Sequence, residues 1–204
     1  MTVSLLSASR RPSQRWRNGA GETYEIASYP QGSSLDDFGW RLSLAEVSIA
    51  APFSRFPGVE RHLAVLEGAI ELEIEGQSGM LARTPSDGAL CFPGDVEVFG
   101  RPTSAPARDL NLMVRRDTFT GQLLRHEYLS EYEARHDATV IVLLEPAGLA
   151  DGRVLHRYDA VWLEKGDSIA LNSPVQAFVA LIKSRELVSA ATNALTRKRG
   201  PQAW

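Results

Sequence analysis

Phe53-Ser54-Arg55-Phe56-Pro57-Gly58-Val59-Glu60-Arg61-His62-Leu63-Ala64-Val65-Leu66-Glu67-Gly68 reads as the opening half of a small β-barrel. In a strand, Arg61 and His62 point to opposite faces. Outward from this stretch the dominant period is two. In Gly39–Val47, Trp40, Leu42 and Leu44 share one face, and Arg41, Ser43 and Ala45 share the other. In Ala69–Gly76, Ile70, Leu72 and Ile74 fall on one side. Such alternation marks half-buried strands. Thr139–Glu145 and Ala177–Ile182 read as buried strands. Gly, Pro, Ser and Asp clusters at 30–34, 76–79, 85–88 and 101–106 read as the turns between strands. The pattern predicts an all-β sandwich or barrel, with helix confined to a turn at Glu131–Arg135 and a short segment at Ala190–Lys198.

A chain of 204 residues suffices for one large β domain or two small fused ones, and 44% hydrophobic residues is ordinary for a buried core. The net charge of −3 is spread along the chain, which leaves no footprint for nucleic acid or an anionic membrane. The run Arg197-Lys198-Arg199 reads as a solvated tail. Cys91 is the one cysteine, so no intramolecular disulfide forms. It lies in Ala89-Leu90-Cys91-Phe92, which predicts a buried thiol packing as a hydrophobe. No basic–apolar–small leader opens the chain, and no apolar run approaches the roughly 20 residues that span a bilayer. The expected compartment is a reducing cytoplasm.

Gly94, Asp95, Pro102 and Ala105 recur as Gly166, Asp167, Pro174 and Ala177, an offset of 72 residues throughout. This repeat predicts duplication, with two barrels of one topology. The boundaries it suggests are residues 1–118 for an N-terminal barrel bearing the pocket, 119–184 for the second half and 185–204 for a tail.

The quoted stretch resembles the first motif of the cupins, whose jelly-roll barrel usually holds a metal on two histidines and a glutamate. That glutamate precedes a glycine by seven positions; counting back seven from Gly68 reaches Arg61. The histidine positions fall at Ser54–Pro57, where no histidine stands. In the second motif the histidine and asparagine positions fall on Ala105 and Asp109, and the later half places Ala177 at its histidine position. His62, His126, His136 and His156 offer no paired spacing for a metal. A fixed cation therefore replaces a metal-binding anion. The expectation is no metal, no cofactor and a small anionic ligand.

In Arg108–Arg116, Asp109, Asn111, Met113 and Arg115 share one face, and Leu110, Leu112 and Val114 share the other. The polar set reads either as the solvated side of an amphipathic strand or as a polar interior, and the cupin spacing favours the interior. A polar interior is costly unless its groups are paired or meet a ligand. Arg41 and Arg61 suit a carboxylate clamp, Ser43 adds a hydroxyl, and Asp109 balances charge or orients an arginine. A permanent Arg–Asp pair explains the same residue types. In Arg15–Ile26, two glycines flank Ala20; such a turn can offer backbone N–H groups to an anion, and Asn18 adds a side-chain amide.

Trp16–Thr23, Phe38–Ala45, Pro52–Gly58, Leu66–Gly68 and Asp109–Arg116 together closely resemble the HutD/Ves family over roughly the first 115 residues. Ala20 replaces the middle of the family's usual three glycines. The resemblance implies a bicupin, an all-β chain of two cupin-like (RmlC-like jelly-roll) barrels, from a bacterial cytoplasm. It implies a binding or regulatory protein for a histidine-degradation intermediate such as formylglutamate or urocanate. The matching pocket positions are Asn18, Thr23, Arg41, Ser43, Arg61, Asp109 and Asn111, with no catalytic residue assigned. The rival expectation is a metal-independent isomerase or hydrolase with Glu25 or Asp109 as general base, and a third is an interaction module with a packed interior. Cupin barrels commonly dimerise by sheet contacts, so a homodimer is the expected assembly.

Overall fold

The computed structural model describes residues 3–16 and 18–185. The helix expected at Ala190–Lys198, the basic run Arg197–Arg199 and all but the first residue of the 185–204 tail lie outside the described residues. In chain order the first strands are β1 Ser4–Leu6, β2 Ser13–Arg15, β3 Gly21–Tyr29, β4 Trp40–Val47 and β5 Ala51–Pro52. There follow β6 Val59–Ile74, β7 Met80–Arg83, β8 Leu90–Pro93, β9 Val98–Arg115 and β10 Phe119–Glu133. The last are β11 Ala138–Leu143, β12 Ala147–Gly148, β13 Val154–Leu155, β14 Ala160–Glu164 and β15 Ser168–Ser184. Among the described residues the only helical turn is Ala8–Arg10, and no helix is long and apolar enough to cross a membrane.

Two sheets carry the fold. The larger runs β2-β3-β4-β9-β6-β7, with β5 on β9 and β8 on β6; the smaller runs β1-β14-β11-β15-β10. All of their pairings are antiparallel. One arrangement recurs in both: β4-β9-β6-β8 in the first half and β10-β15-β11-β14 in the second. In each, the four strands lie in the order first, fourth, second, third along the chain. The Gly94-Asp95 and Gly166-Asp167 turns each join the third strand to the fourth, so the 72-residue offset lands on matching turns. The strand β1 is an exception to a division at residue 118, because it pairs with β14 in the second sheet.

Alternation determines where each face goes. The even-numbered residues of β4 (Trp40, Leu42, Leu44) and β9 (Leu110, Leu112, Val114) pack against Val140, Val142, Phe178, Ala180 and Ile182 of the second sheet. One core thus lies between the sheets, where Trp40 and Trp162 meet edge-on with centroids 5.0 Å apart. Burying each such large apolar side chain contributes about 1.5–3 kcal/mol. A second cluster, including Ile141, Leu143, Val161, Leu163, Val179 and Leu181, fills the interior of the second half. A third, including Leu63, Val65, Ile70, Leu72, Ile74 and Phe92, fills the closed end of the first.

Three local expectations are corrected. Residues 101–106 lie inside β9 and form no turn. Their prolines are tolerated because the β6–β9 ladder is broken by register shifts between Val65 and Ile70. Gly68, at φ +71°, sits in that irregular stretch, and a Cβ there would come within 2.9 Å of the Ser104 carbonyl oxygen. Glu131–Glu133 complete β10 and form no helical turn, because they pair with Ser168–Ala170. Cys91 is exposed, since Phe92 takes the inward place on β8 and alternation turns its neighbour outward.

Candidate functional site

The register of β4, β9 and β6 builds the site. Arg41 and Arg61 both pair with Met113, one from each side. Two residues along β9, Asn111 lies between Ser43 and Leu63; two further, Asp109 lies between Ala45 and Val65. All of these point to one face of the sheet, and its curvature leaves a cavity of about 450 Å³ there. Asn18 and Thr23 join its wall, so the structure gathers all seven positions singled out in the sequence: Asn18, Thr23, Arg41, Ser43, Arg61, Asp109 and Asn111. The polar face of β9 therefore looks into the cavity, and its apolar face looks into the core between the sheets.

The charges in this wall are paired differently from any Arg–Asp scheme. Arg41 Nε donates to Glu25 Oε2 at 2.7 Å, and Ser28 donates to the other oxygen of that carboxylate. A register shift between Glu25 and Ala27 on β3 brings Glu25 into reach. Neither terminal nitrogen of Arg41 has a hydrogen-bond partner among the described residues.

Arg61 is buried, and it forms no ion pair among the described residues. Its guanidinium carbon lies 5.4, 5.8 and 5.2 Å from the ring centroids of Phe53, Phe56 and Phe92. One long hydrogen bond, 3.4 Å, runs from Nη1 to the Ser54 carbonyl oxygen, and Nε has no partner. Burial pushes this guanidinium down to about 10, with the Asp109 charge opposing the shift. It remains a cation at neutral pH, held by ring faces whose electron density partly replaces its lost hydration.

Asp109 is equally buried, and its Oδ1 has no partner. Burial pushes its carboxyl up to about 7, opposed by Arg61. Asn111 Oδ1 is also buried without a partner, and Ser43 makes no side-chain hydrogen bond among the described residues. Donors on Arg61 and Ser43 and acceptors on Asp109 and Asn111 thus line one wall of the cavity. Each unmet group costs about 1–3 kcal/mol, more where charged.

The glycine turn has a different role from the one expected. Ala20 N–H donates to Asn18 Oδ1 and Gly19 N–H donates to the Trp16 carbonyl, so both donors are engaged within the turn. Trp16 Nε1 donates to Thr23 Oγ1 at 2.8 Å, and its ring meets Phe53 edge-on. A Cβ at position 21 would fall 2.2 Å from the Glu46 carbonyl oxygen, so Gly21 is required by close approach of β4. The turn thereby positions an aromatic wall of the cavity. Sequence reading missed Trp16, Met113 and the three phenylalanines around Arg61. The signal was present in the aromatic spacing of Phe53 and Phe56, but only the fold brings Phe92 opposite Arg61.

The HutD family model matches residues 8–181. The chain belongs to the HutD family. A relative in Pseudomonas putida, an uncharacterised 21.2 kDa protein in the hutC 3′ region, is 32% identical over 92% of this chain and 98% of that protein. Protein Ves of Citrobacter koseri is 39% identical over 53% of this chain and 56% of its own. Among solved structures, HutD from Pseudomonas fluorescens (formate condition) superposes with a TM-score of 0.77 at 23% identity, over 91% of this chain and 100% of that one. A cupin 2 conserved barrel domain protein from Leptotrichia buccalis superposes with a TM-score of 0.53 at 11% identity, over 90% and 98%. The fold of this HutD-family chain is accordingly cupin-like and all-β.

Proposed function

We propose that the chain is a cytoplasmic small-molecule binding protein of regulatory role, whose cavity accepts a small carboxylate of histidine degradation such as formylglutamate or urocanate. The observation that carries this reading is the set of buried polar atoms left without partners in the cavity wall: Arg61 Nε, Asp109 Oδ1 and Asn111 Oδ1. A folded protein retains such unmet groups at a cost, and a ligand that meets them recovers it. Arg61 supplies a fixed cation for the carboxylate, with Arg41 beside it across Met113. Ser43, Asn18 and Asn111 meet the polar remainder. The aromatic wall of Trp16, Phe53 and Phe56 excludes water from the contact.

Titration calorimetry with formylglutamate, urocanate and glutamate tests this. Saturable binding of one of them is expected, weakened at least tenfold by Arg61→Ala and by the milder Ser43→Ala. If none binds, or if neither variant alters affinity, the pocket assignment fails.

A second reading draws on Asp109. A carboxyl poised near neutrality suits proton transfer, so a metal-independent isomerase or hydrolase acting on the same anion is the alternative. Glu25 is poorly placed as its base, being tied to Arg41 and Ser28. Turnover of one of the three ligands, abolished by Asp109→Asn with binding retained, would establish catalysis over binding alone.

A further inference from the structure

The outer face of the same strand carries a second constellation. Glu60 and His62 are two residues apart on β6, so they share the face opposite Arg61. Strand β8 pairs Cys91 directly with His62. A residue pair i, i+2 on one strand and the residue across from it on the next form a triangle of side chains on one sheet face. Here a Glu60 carboxylate oxygen, a His62 ring nitrogen and Cys91 Sγ lie within 4.8 Å of one another. His62 Nε2 is 3.2 Å from Glu60 Oε1.

We infer that Glu60, His62 and Cys91 form a binding site for a thiophilic divalent cation of the zinc class. Thiolate, imidazole and carboxylate are the three donor types that zinc and cobalt(II) take together, whereas magnesium and calcium select oxygen alone. Tetrahedral coordination brings such donor atoms to roughly 3.3–3.6 Å apart. Glu60 and His62, at 3.2 Å, lie just short of that spacing, and the Cys91 side chain is exposed. Burial of the His62 side chain, 9% exposed, holds its ring in place. Glu60 is half-buried and Cys91 faces solvent, which provides entry for the ion. Three protein donors leave a fourth position for water or an exogenous group. The site is separate from the cavity, since β6 presents Arg61 to one side and this triad to the other.

The competing arrangement is a hydrogen-bonded triad in which Glu60 serves His62 and the thiol without any ion. Cobalt(II) titration of the full, reduced chain at neutral pH separates the two. Cys91 is the only cysteine, so a sulfur-to-cobalt charge-transfer band in the near ultraviolet reports on it alone. The expected result is a saturable band, with visible transitions of four-coordinate cobalt, both displaced by zinc. Cys91→Ser, a conservative change at an exposed position, removes the charge-transfer band. Glu60→Gln retains the band and weakens binding at least tenfold. Absence of saturable uptake, uptake without the band, or a band that survives Cys91→Ser would overturn the inference.

Discussion

The two halves of the molecule share a strand order and differ in what they enclose. In the second half the interior face of β15 is Val175, Ala177, Val179 and Leu181, packed on Ile141 and Leu143 of β11. Its buried side-chain atoms without partners among the described residues are the Thr139 hydroxyl and His136 Nδ1, neither of them on the interior face of β15. In the first half the inward face of β9 is Ala107, Asp109, Asn111 and Met113, and from Asp109 onward it borders a cavity. The 72-residue offset sets Ala107 on Val179 and Asp109 on Leu181. One barrel position thus holds leucine where the fold needs only packing and a carboxylate where the cavity stands. The lesson is that the scaffold does not require the polar groups. They cost stability, and that cost is the reason the ligand site is proposed in the first half.

Four measurements test this contrast. The largest effect is expected where the halves share a core: Phe178→Ala should destabilise by about 3–5 kcal/mol, and thermal unfolding should stay a single transition. Two resolved transitions would show that the halves fold independently. Next is the pH response of the cavity carboxyl. Asp109 titrates near 7 folded, against 3.8 ordinarily, so between these values the folded protein keeps a proton that the unfolded chain has released. Stability therefore falls as pH rises across that window, by about 4 kcal/mol when complete. Asp109→Asn should remove that component, read as the difference between urea melts of the two proteins from about pH 4 to 7. An unchanged difference would show that Asp109 is hydrated and ionised.

A smaller effect tests the coupling of the two buried charges. In Arg61→Met the opposing cation is gone, so the Asp109 carboxyl should titrate higher than in the parent protein, followed by carboxyl carbon NMR. A downward move would contradict the assigned electrostatics. The smallest effect is expected outside the cavity chemistry. The Arg15–Glu22 pair is solvated, with the Arg15 side chain 87% exposed, so Arg15→Ala should leave the melting midpoint unchanged.

Much of this was legible in the residues. Alternation in 39–47 and 108–116 sorted each strand into an apolar face and a polar one, since side-chain direction in a strand follows from parity alone; that the polar face borders a cavity was not in the pattern. The same rule placed His62 opposite Arg61. Pairing partners were not legible: Arg41 meets Glu25 through a register shift on β3, and no local pattern announces a shift. Cys91 sits in an apolar run, yet it faces outward because that run is a short strand with one buried position. The proline-bearing stretch at 101–106 reads as a turn because its breaks in pairing are real: β9 carries extra residues between Arg108 and Pro102 opposite Glu67–Ile70 of β6, and only the register shows that the strand continues through them.

Strand character and the two faces of each strand followed from the sequence, since both depend on residue type and near neighbours. The tertiary structure alone decided which charges stay unpaired around the cavity, which rings surround Arg61 and which residues meet across β6 and β8. Those outcomes depend on the register of strands distant in sequence, and register is set by cooperative packing of the whole sheet.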